Sequence, residues 1–276
     1  MAYPGIDAPY GYQPVNLIGG QVFSGSTREY PIAYNYGTSI FYGDPVVLTN
    51  GFVNIATLPI NTTNTTVGVF LGCSYTSPAT KQRLFSQFYP ANTLAGDIKA
   101  IVCDDPDTVF KMAVVTAAGV QTIGSMSQLV VGQNAAGSTT TGNAASGNST
   151  LGVVGAAANT ASAGFRILGL VSDTQISTQA TYVSGSGSTS VVVSGLTVGQ
   201  VLPIGTDIYQ LVPATGQLQF TGASLTAAAT VTTTGNTTLT VTNSPANSVT
   251  GPTLALIQSP EVLAKINFNV HRYYIA

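Results

Sequence analysis

No charged side chain lies between Lys111 and Arg166, and none from Ile208 through Pro260. Over the whole chain only 7% of residues are charged, against roughly 25% in an ordinary domain. Ionic repulsion therefore cannot be what keeps most of this surface wet. The stretch "NAAGSTTTGNAASGNSTLGVVGAAANTASAG" (Asn134–Gly164) shows what replaces it: Gly, Ser, Thr and Asn interrupt every apolar run. No run reaches the ~18–20 apolar residues of a spanning helix, so no membrane partner is expected. Disordered segments are usually rich in charge or proline, and this one has neither. Leu129, Val130 and Val131 precede it, and Leu151, Val153 and Val154 lie within it. The stretch is expected to be ordered and closely packed, with one helical turn near Ser125–Leu129 and small residues letting backbones approach.

The 276 residues suffice for one large β domain or two smaller ones. "GDPVVLTNGFVNIA" (Gly43–Ala56) reads as strand, Asn50-Gly51 turn, strand, because both central residues of a tight hairpin turn need positive φ. "TVGVFLGCSY" (Thr66–Tyr75), "RLFSQFYP" (Arg83–Pro90), "IKAIVCDD" (Ile98–Asp105), "TVFKMAVV" (Thr108–Val115) and "FRILGLVSD" (Phe165–Asp173) are further short strands, rich in β-branched and aromatic residues. From 178 to 257 the texture changes: eighteen threonines and a single charge, Asp207. There "IYQLVPATGQLQF" (Ile208–Phe220) and "TVTTTGNTTLTVT" (Thr230–Thr242) read as hairpins. In the second, Val231, Leu239 and Val241 make an apolar face opposite a row of hydroxyls. "GSGS" (Gly185–Ser188) reads as a turn. Charge and aromatics return in "PEVLAKINFNVHRYYIA" (Pro260–Ala276), as though the tail rejoins the first domain.

The expected fold is all-β: a small β-barrel or sandwich core (residues 44–177 plus 258–276), an inserted Thr-rich β domain (178–257), an extended N-terminal arm (1–43) and very little helix. The arm holds seven of the thirteen tyrosines, and Pro4, Pro9 and Pro14 forbid an early helix. It is read as lying along something, either a neighbour or its own domain.

Catalytic chemistry is sparse. A net charge of −2 provides no basic field for nucleic acid. The start, "MAYPGIDAPYGY", lacks the basic and apolar regions of a signal peptide. Cys73 and Cys103 read as buried free thiols, since two cysteines make no disulfide framework. The one histidine, His271, is placed on a strand between Val270 and Arg272 and reads as structural rather than as part of a triad. Asp104, Asp105 and Asp107 in "CDDPDTVF" could hold calcium, but the spacing misses the EF-hand pattern, and a proline-fixed turn is preferred. Neither a His/Cys metal motif nor a phosphate-binding loop occurs. The Asn-x-Thr/Ser matches at Asn61, Asn64, Asn148 and Asn236 are read as chance in a Thr-rich chain. No cofactor is expected, nor is enzymatic activity.

Several stretches resemble the head decoration (cement) proteins of tailed bacteriophages, of the marine phage and cyanophage type. They are "SIFYGDPVVL" (Ser39–Leu48), "VGVFLGCSY" (Val67–Tyr75), "FSQFYPANT" (Phe85–Thr93), "CDDPDTVF" (Cys103–Phe110), "FRILGLVSD" and "EVLAKINFNVHRYY" (Glu261–Tyr274). The resemblance implies a protein made in the host cytoplasm that binds the exterior of an assembled capsid, often as a homotrimer, with the major capsid protein and its own copies as partners. The Thr-rich segment 178–257 departs from that pattern. Tyr10, Tyr12, Tyr30, Tyr34 and Tyr36 are the expected partner-binding residues, because tyrosine combines large area with a hydrogen bond at low entropy cost. A tail fibre or receptor-binding component, or a bacterial surface-layer or adhesin domain, are the other readings of the same β texture.

Overall fold

Asn50 and Gly51 both adopt positive φ, 52° and 84°. The hairpin they close pairs Pro45–Thr49 with Phe52–Ile55, Thr49 directly opposite Phe52. That local rule holds within a larger arrangement seen in a computed structural model, which describes residues 8–155, 160–184, 189–212, 215–243 and 253–274. Tyr3, Pro4 and the "GSGS" turn lie outside the described residues. Among those described there is no α-helix, only three single turns of 3-10 helix. One of these, Gln128–Val130, is the helical turn expected near Ser125–Leu129.

Three six-stranded sheets hold all but two of the twenty named strands. The first runs Gln13–Leu17, Thr108–Val115, Glu261–Ile266, Phe165–Leu170, Asn134–Ala135, with Val153–Val154 added alongside Thr108–Val115. The second runs Arg28–Pro31, Lys99–Cys103, Gly68–Thr76, Pro45–Thr49, Phe52–Ile55, with Arg83–Ser86 on the long central strand. The third runs Gln217–Ser224, Asp207–Val212, Thr253–Gln258, Ile176–Ser184, Ser190–Ser194, Thr237–Thr240. None closes into a barrel, so of the two architectures expected for the core the barrel is excluded. The edges explain why. Pro14 and Pro31 sit in edge strands and carry no N–H, which blunts further pairing, and the register shifts between Pro14 and Asn16.

The first two sheets share a core. Tyr12, Phe110, Met112, Phe165 and Ile167 pack with Val69 and Cys103 of the second sheet. The third sheet has its own cluster, including Tyr182, Val191, Val193, Leu239, Leu254 and Leu256. It leaves the first sheet between two strands that pair with each other, Phe165–Leu170 and Glu261–Ile266. Along Ile176–Ser184 the period of two is clean: Thr178, Ala180 and Tyr182 are buried, while Ser177, Gln179, Thr181 and Val183 face out. An uncharged hydroxyl face over an apolar one is how this sheet stays wet without ions.

The residues from 230 to 242 do not form a hairpin. Val231, Leu239 and Val241 are buried on one face as their spacing requires. The two arms, however, pair elsewhere: Ala229–Thr230 with Val201–Leu202, and Thr237–Thr240 with Ser190–Ser194. Turn residues specify a reversal of direction, but not which strand the next segment joins.

The charge-free stretch packs through its glycines. A Cβ at Gly142 would meet the Phe41 ring at 2.1 Å, one at Gly164 the Ile60 carbonyl at 2.5 Å, and one at Gly152 the Ala113 carbonyl at 2.6 Å. Ser138, Ser149, Leu151 and Val153 are fully buried there. The N-terminal segment is extended but lies along its own chain, contributing edge strands to the first and second sheets.

Candidate interaction surface and its buried polar anchors

The five arm tyrosines divide sharply. Tyr12 is completely buried, its ring edge-on to Phe165 at 4.8 Å. It is spent in the chain's own core and offers nothing to a partner. Tyr10 donates to Glu261 Oε1 and lies under Lys111 Nζ, 5.8 Å from the ring centre. Burial and the neighbouring carboxylate push its phenol up. Tyr36 accepts the Ile55 N–H at 3.2 Å. Tyr30 donates to Asp104 Oδ2 at 2.7 Å. Only Tyr34 projects freely, 64% exposed. Four of the five are thus engaged within the fold, because strands at 13–17 and 28–31 draw them in.

The exposed aromatic surface lies largely elsewhere. Phe85 is 75% exposed and Phe268 60%. Phe268 stacks on Tyr274 with centroids 4.1 Å apart, and Arg28 lies over Tyr273 at 5.6 Å. Aromatic and arginine side chains together are the composition of interface centres. Phe85 falls on Arg83–Ser86, a strand with no alternation of buried and exposed positions, so periodicity does not single it out. Phe268, Tyr273 and Tyr274 follow the last strand, where no periodicity marks a face.

Beneath this patch Asp104 acts as an anchor. It is 3% exposed; its Oδ2 accepts from the Tyr30 and Tyr273 hydroxyls and forms an ion pair with Arg28 Nε at 3.3 Å. Two segments remote in sequence, the strand Arg28–Pro31 and the residues around Tyr273, thus converge on one oxygen. Asp105 Oδ1 accepts the Asp107 N–H at 2.8 Å, the turn its proline implies, while Asp107 pairs with Lys265 Nζ at 2.6 Å. The three carboxylates are therefore directed to different partners, and among the described residues no group of three His, Cys, Asp or Glu is placed to hold a metal. His271 lies beside them, 1% exposed, outside any named strand but in an isolated parallel β-bridge to Thr66, between a turn at 268–270 and the 3-10 turn Arg272–Tyr274.

Both cysteines are buried and free. They sit on adjacent strands but out of register, Cys73 opposite Ala100 and Cys103 opposite Val69. Burial pushes Cys73 up to about 12 and Cys103 up to about 11, so both stay as inert thiols.

Asp44 is a second buried carboxylate, 2% exposed, accepting the Phe41 N–H at 2.9 Å. Burial raises it to about 6, with bonds from Ser149 and the Phe41 N–H only partly opposing. The folded value therefore exceeds the unfolded one. The site's contribution to stability is full below about pH 4 and is lost as pH rises toward 6, by about 2–3 kcal/mol. Replacing Asp44 with Asn, which keeps an acceptor for Phe41, should flatten that window. Urea midpoints at pH 4.5 and 7.5 measure it, and equal pH dependence in both proteins would remove Asp44 as the cause.

No protein-family model, curated protein or solved structure matches the chain. Among the described residues no helix is long and apolar enough to cross a membrane.

Proposed function

We propose that the chain is a virion structural protein that binds the outside of an assembled tailed-phage capsid and staples capsomers across their joints. Its partners are the major capsid protein and further copies of itself, in a trimer. One observation carries this reading: four of the ten acidic residues, Asp44, Asp104, Asp207 and Glu261, are buried. Among the described residues that leaves thirteen charged side chains outside the core, on a surface that displays Tyr34, Phe85 and Phe268. Such a surface sheds water at little cost. A stable contact needs about 1,600 Å², and a trimer multiplies modest contacts through effective concentration. Adhesion to a repeating lattice suits these properties, and the phage-like stretches supply the lattice.

Deleting residues 2–36 is not an informative test, because it removes Tyr12 from the core and an edge strand from each of two sheets. Substitution of exposed residues is. The purified chain should co-sediment with capsids of its phage that lack it. Tyr34→Ser and Phe85→Ser together should weaken that binding at least tenfold with no change in urea midpoint. Failure of the unaltered protein to bind such capsids would reject the reading.

A further inference from the structure

His271 is the single histidine of the chain, and it sits in a strap, residues 267–274, that crosses from the first sheet to the second. Thr66 holds the strap by both backbone groups. Its N–H donates to the Val270 carbonyl at 3.0 Å, and its carbonyl accepts the Arg272 N–H at 2.9 Å. Arg272 Nη1 donates to the Leu48 carbonyl at 3.0 Å, and the Tyr273 hydroxyl donates to Asp104. The imidazole is packed against the rings of Tyr273 and Tyr274, at 5.1 and 6.2 Å between centroids. Its Nδ1 accepts the Tyr273 N–H at 3.3 Å. That bond assigns the proton of the neutral ring to Nε2, which is buried and has no partner among the described residues.

We infer that this strap is an acid-released clasp, in which protonation of His271 unseats residues 267–274 from Thr66. The second proton must go to Nδ1, where the Tyr273 N–H already points. Two donors then face one another, the only bond to the ring is lost, and a cation is left in a site closed to water. The charged groups around the ring do not rescue it. Asp104, Asp105 and Asp107 favour the cation and Lys265 opposes it. Asp104 Oδ2 is already taken by Arg28, Tyr30 and Tyr273, Asp107 by Lys265, and Asp105 by a backbone N–H. Burial outweighs the acids and holds His271 below the ordinary histidine range. A depressed folded value means that the clasp contributes fully above about pH 6.5 and loses hold as pH falls through the folded value. Asp44 has the opposite sign, so its titration does not mimic opening of the strap. Because the strap carries Phe268, Tyr273 and Tyr274, its release also displaces those three rings. The inference stands whatever the chain binds.

One histidine gives one set of ring signals, so the test uses the intact protein. NMR from pH 7.5 to 4.5 follows the imidazole together with exchange of the Thr66 and Arg272 amides. The ring should titrate below 6.5, and protection of both amides should fall at least tenfold in step with it, while Phe110 in the first sheet stays protected. His271→Gln can accept the same N–H and cannot ionise; it should keep the strap closed across the range. Amides that stay protected while the ring titrates, a ring that never titrates with the strap shut throughout, or a glutamine variant that opens at the same pH would each overturn the inference. If the variant does not fold, the titration of the unaltered protein decides alone.

Discussion

Replacing Gly68 with alanine is expected to cost the fold about 3 kcal/mol or more, enough to leave little folded protein in a chain of ordinary marginal stability. Gly68 opens the central strand of the second sheet, between Pro45–Thr49 and Lys99–Cys103. A Cβ there would lie 2.2 Å from the Cys103 carbonyl oxygen and 2.9 Å from the Asp104 Cα. Both are backbone atoms, so relief requires the two strands to part rather than a side chain to swing. Overpacking of this kind has no cheap relaxation. The displacement would also move Asp104, the common partner of Arg28, Tyr30 and Tyr273. Gly169→Ala is the control: it also lies in a strand, but nothing stands within 4 Å of its added carbon. That change should be neutral or stabilising by about 0.5 kcal/mol through the unfolded chain. Denaturant midpoints read both, and a Gly68→Ala midpoint equal to that of the unaltered protein would contradict the packing described.

How far the sequence carried depended on the range of each signal. Asn50-Gly51 was legible because the requirement for positive φ is met within two residues. The strand at Thr108–Val115 was legible for a similar reason: eight residues, mostly β-branched or aromatic, needed no knowledge of their neighbours. The Thr-rich sheet could be read as half-wet from its alternation. The order expected of Asn134–Gly164 holds over its described residues, 134–155 and 160–164, and was legible because the usual signs of disorder were missing; 156–159 lie outside the described residues. What failed was pairing. Gly235-Asn236 marks a reversal, yet the two arms beside it found other edges at Val201–Leu202 and Ser190–Ser194.

The candidate interaction surface was less legible still. Tyr12 looks in sequence like Tyr34, but one is enclosed by Phe165 and Gly137 and the other is open to water. Nothing in residues 8–36 announces a contact with residues more than a hundred positions away. Asp104 shows the same limit. Its turn is written in "DDPD", whereas its role as an anchor is written in Arg28, Tyr30 and Tyr273, which only the folded chain brings together. Residue type thus indicated which side chains suit an interface, and tertiary packing then consumed most of them.

Asp207→Ala should cost about 3 kcal/mol and, more tellingly, uncouple the third sheet from the rest. Asp207 is the one charge between Asp173 and Glu261, and it is 2% exposed. Its Oδ1 accepts the Ser224 hydroxyl at 2.6 Å within the third sheet, and its Oδ2 accepts the Gln128 N–H at 2.7 Å from the turn beside the first. Ser127 and Ser224 hydroxyls lie 2.9 Å apart across the same joint. A Cβ on Gly205 would come within 2.3 Å of the Ser125 carbonyl, so the two backbones are already in contact there. Truncation takes the charged acceptor from the Gln128 N–H and leaves the buried Ser224 hydroxyl only Ser127 as a partner; losing hydrogen bonds to a charged group costs about 1.5–3 kcal/mol. Burial raises the Asp207 carboxyl, so its own contribution fades as pH rises through the folded value. Because the third sheet keeps a separate apolar cluster around Leu254 and Leu256, loss of the joint should leave it structured but able to open alone. Hydrogen exchange at Val193 would then quicken while Phe110 in the first sheet stays protected. Equal quickening at both positions would mean that the two cores unfold as one unit and that Asp207 is no joint between them.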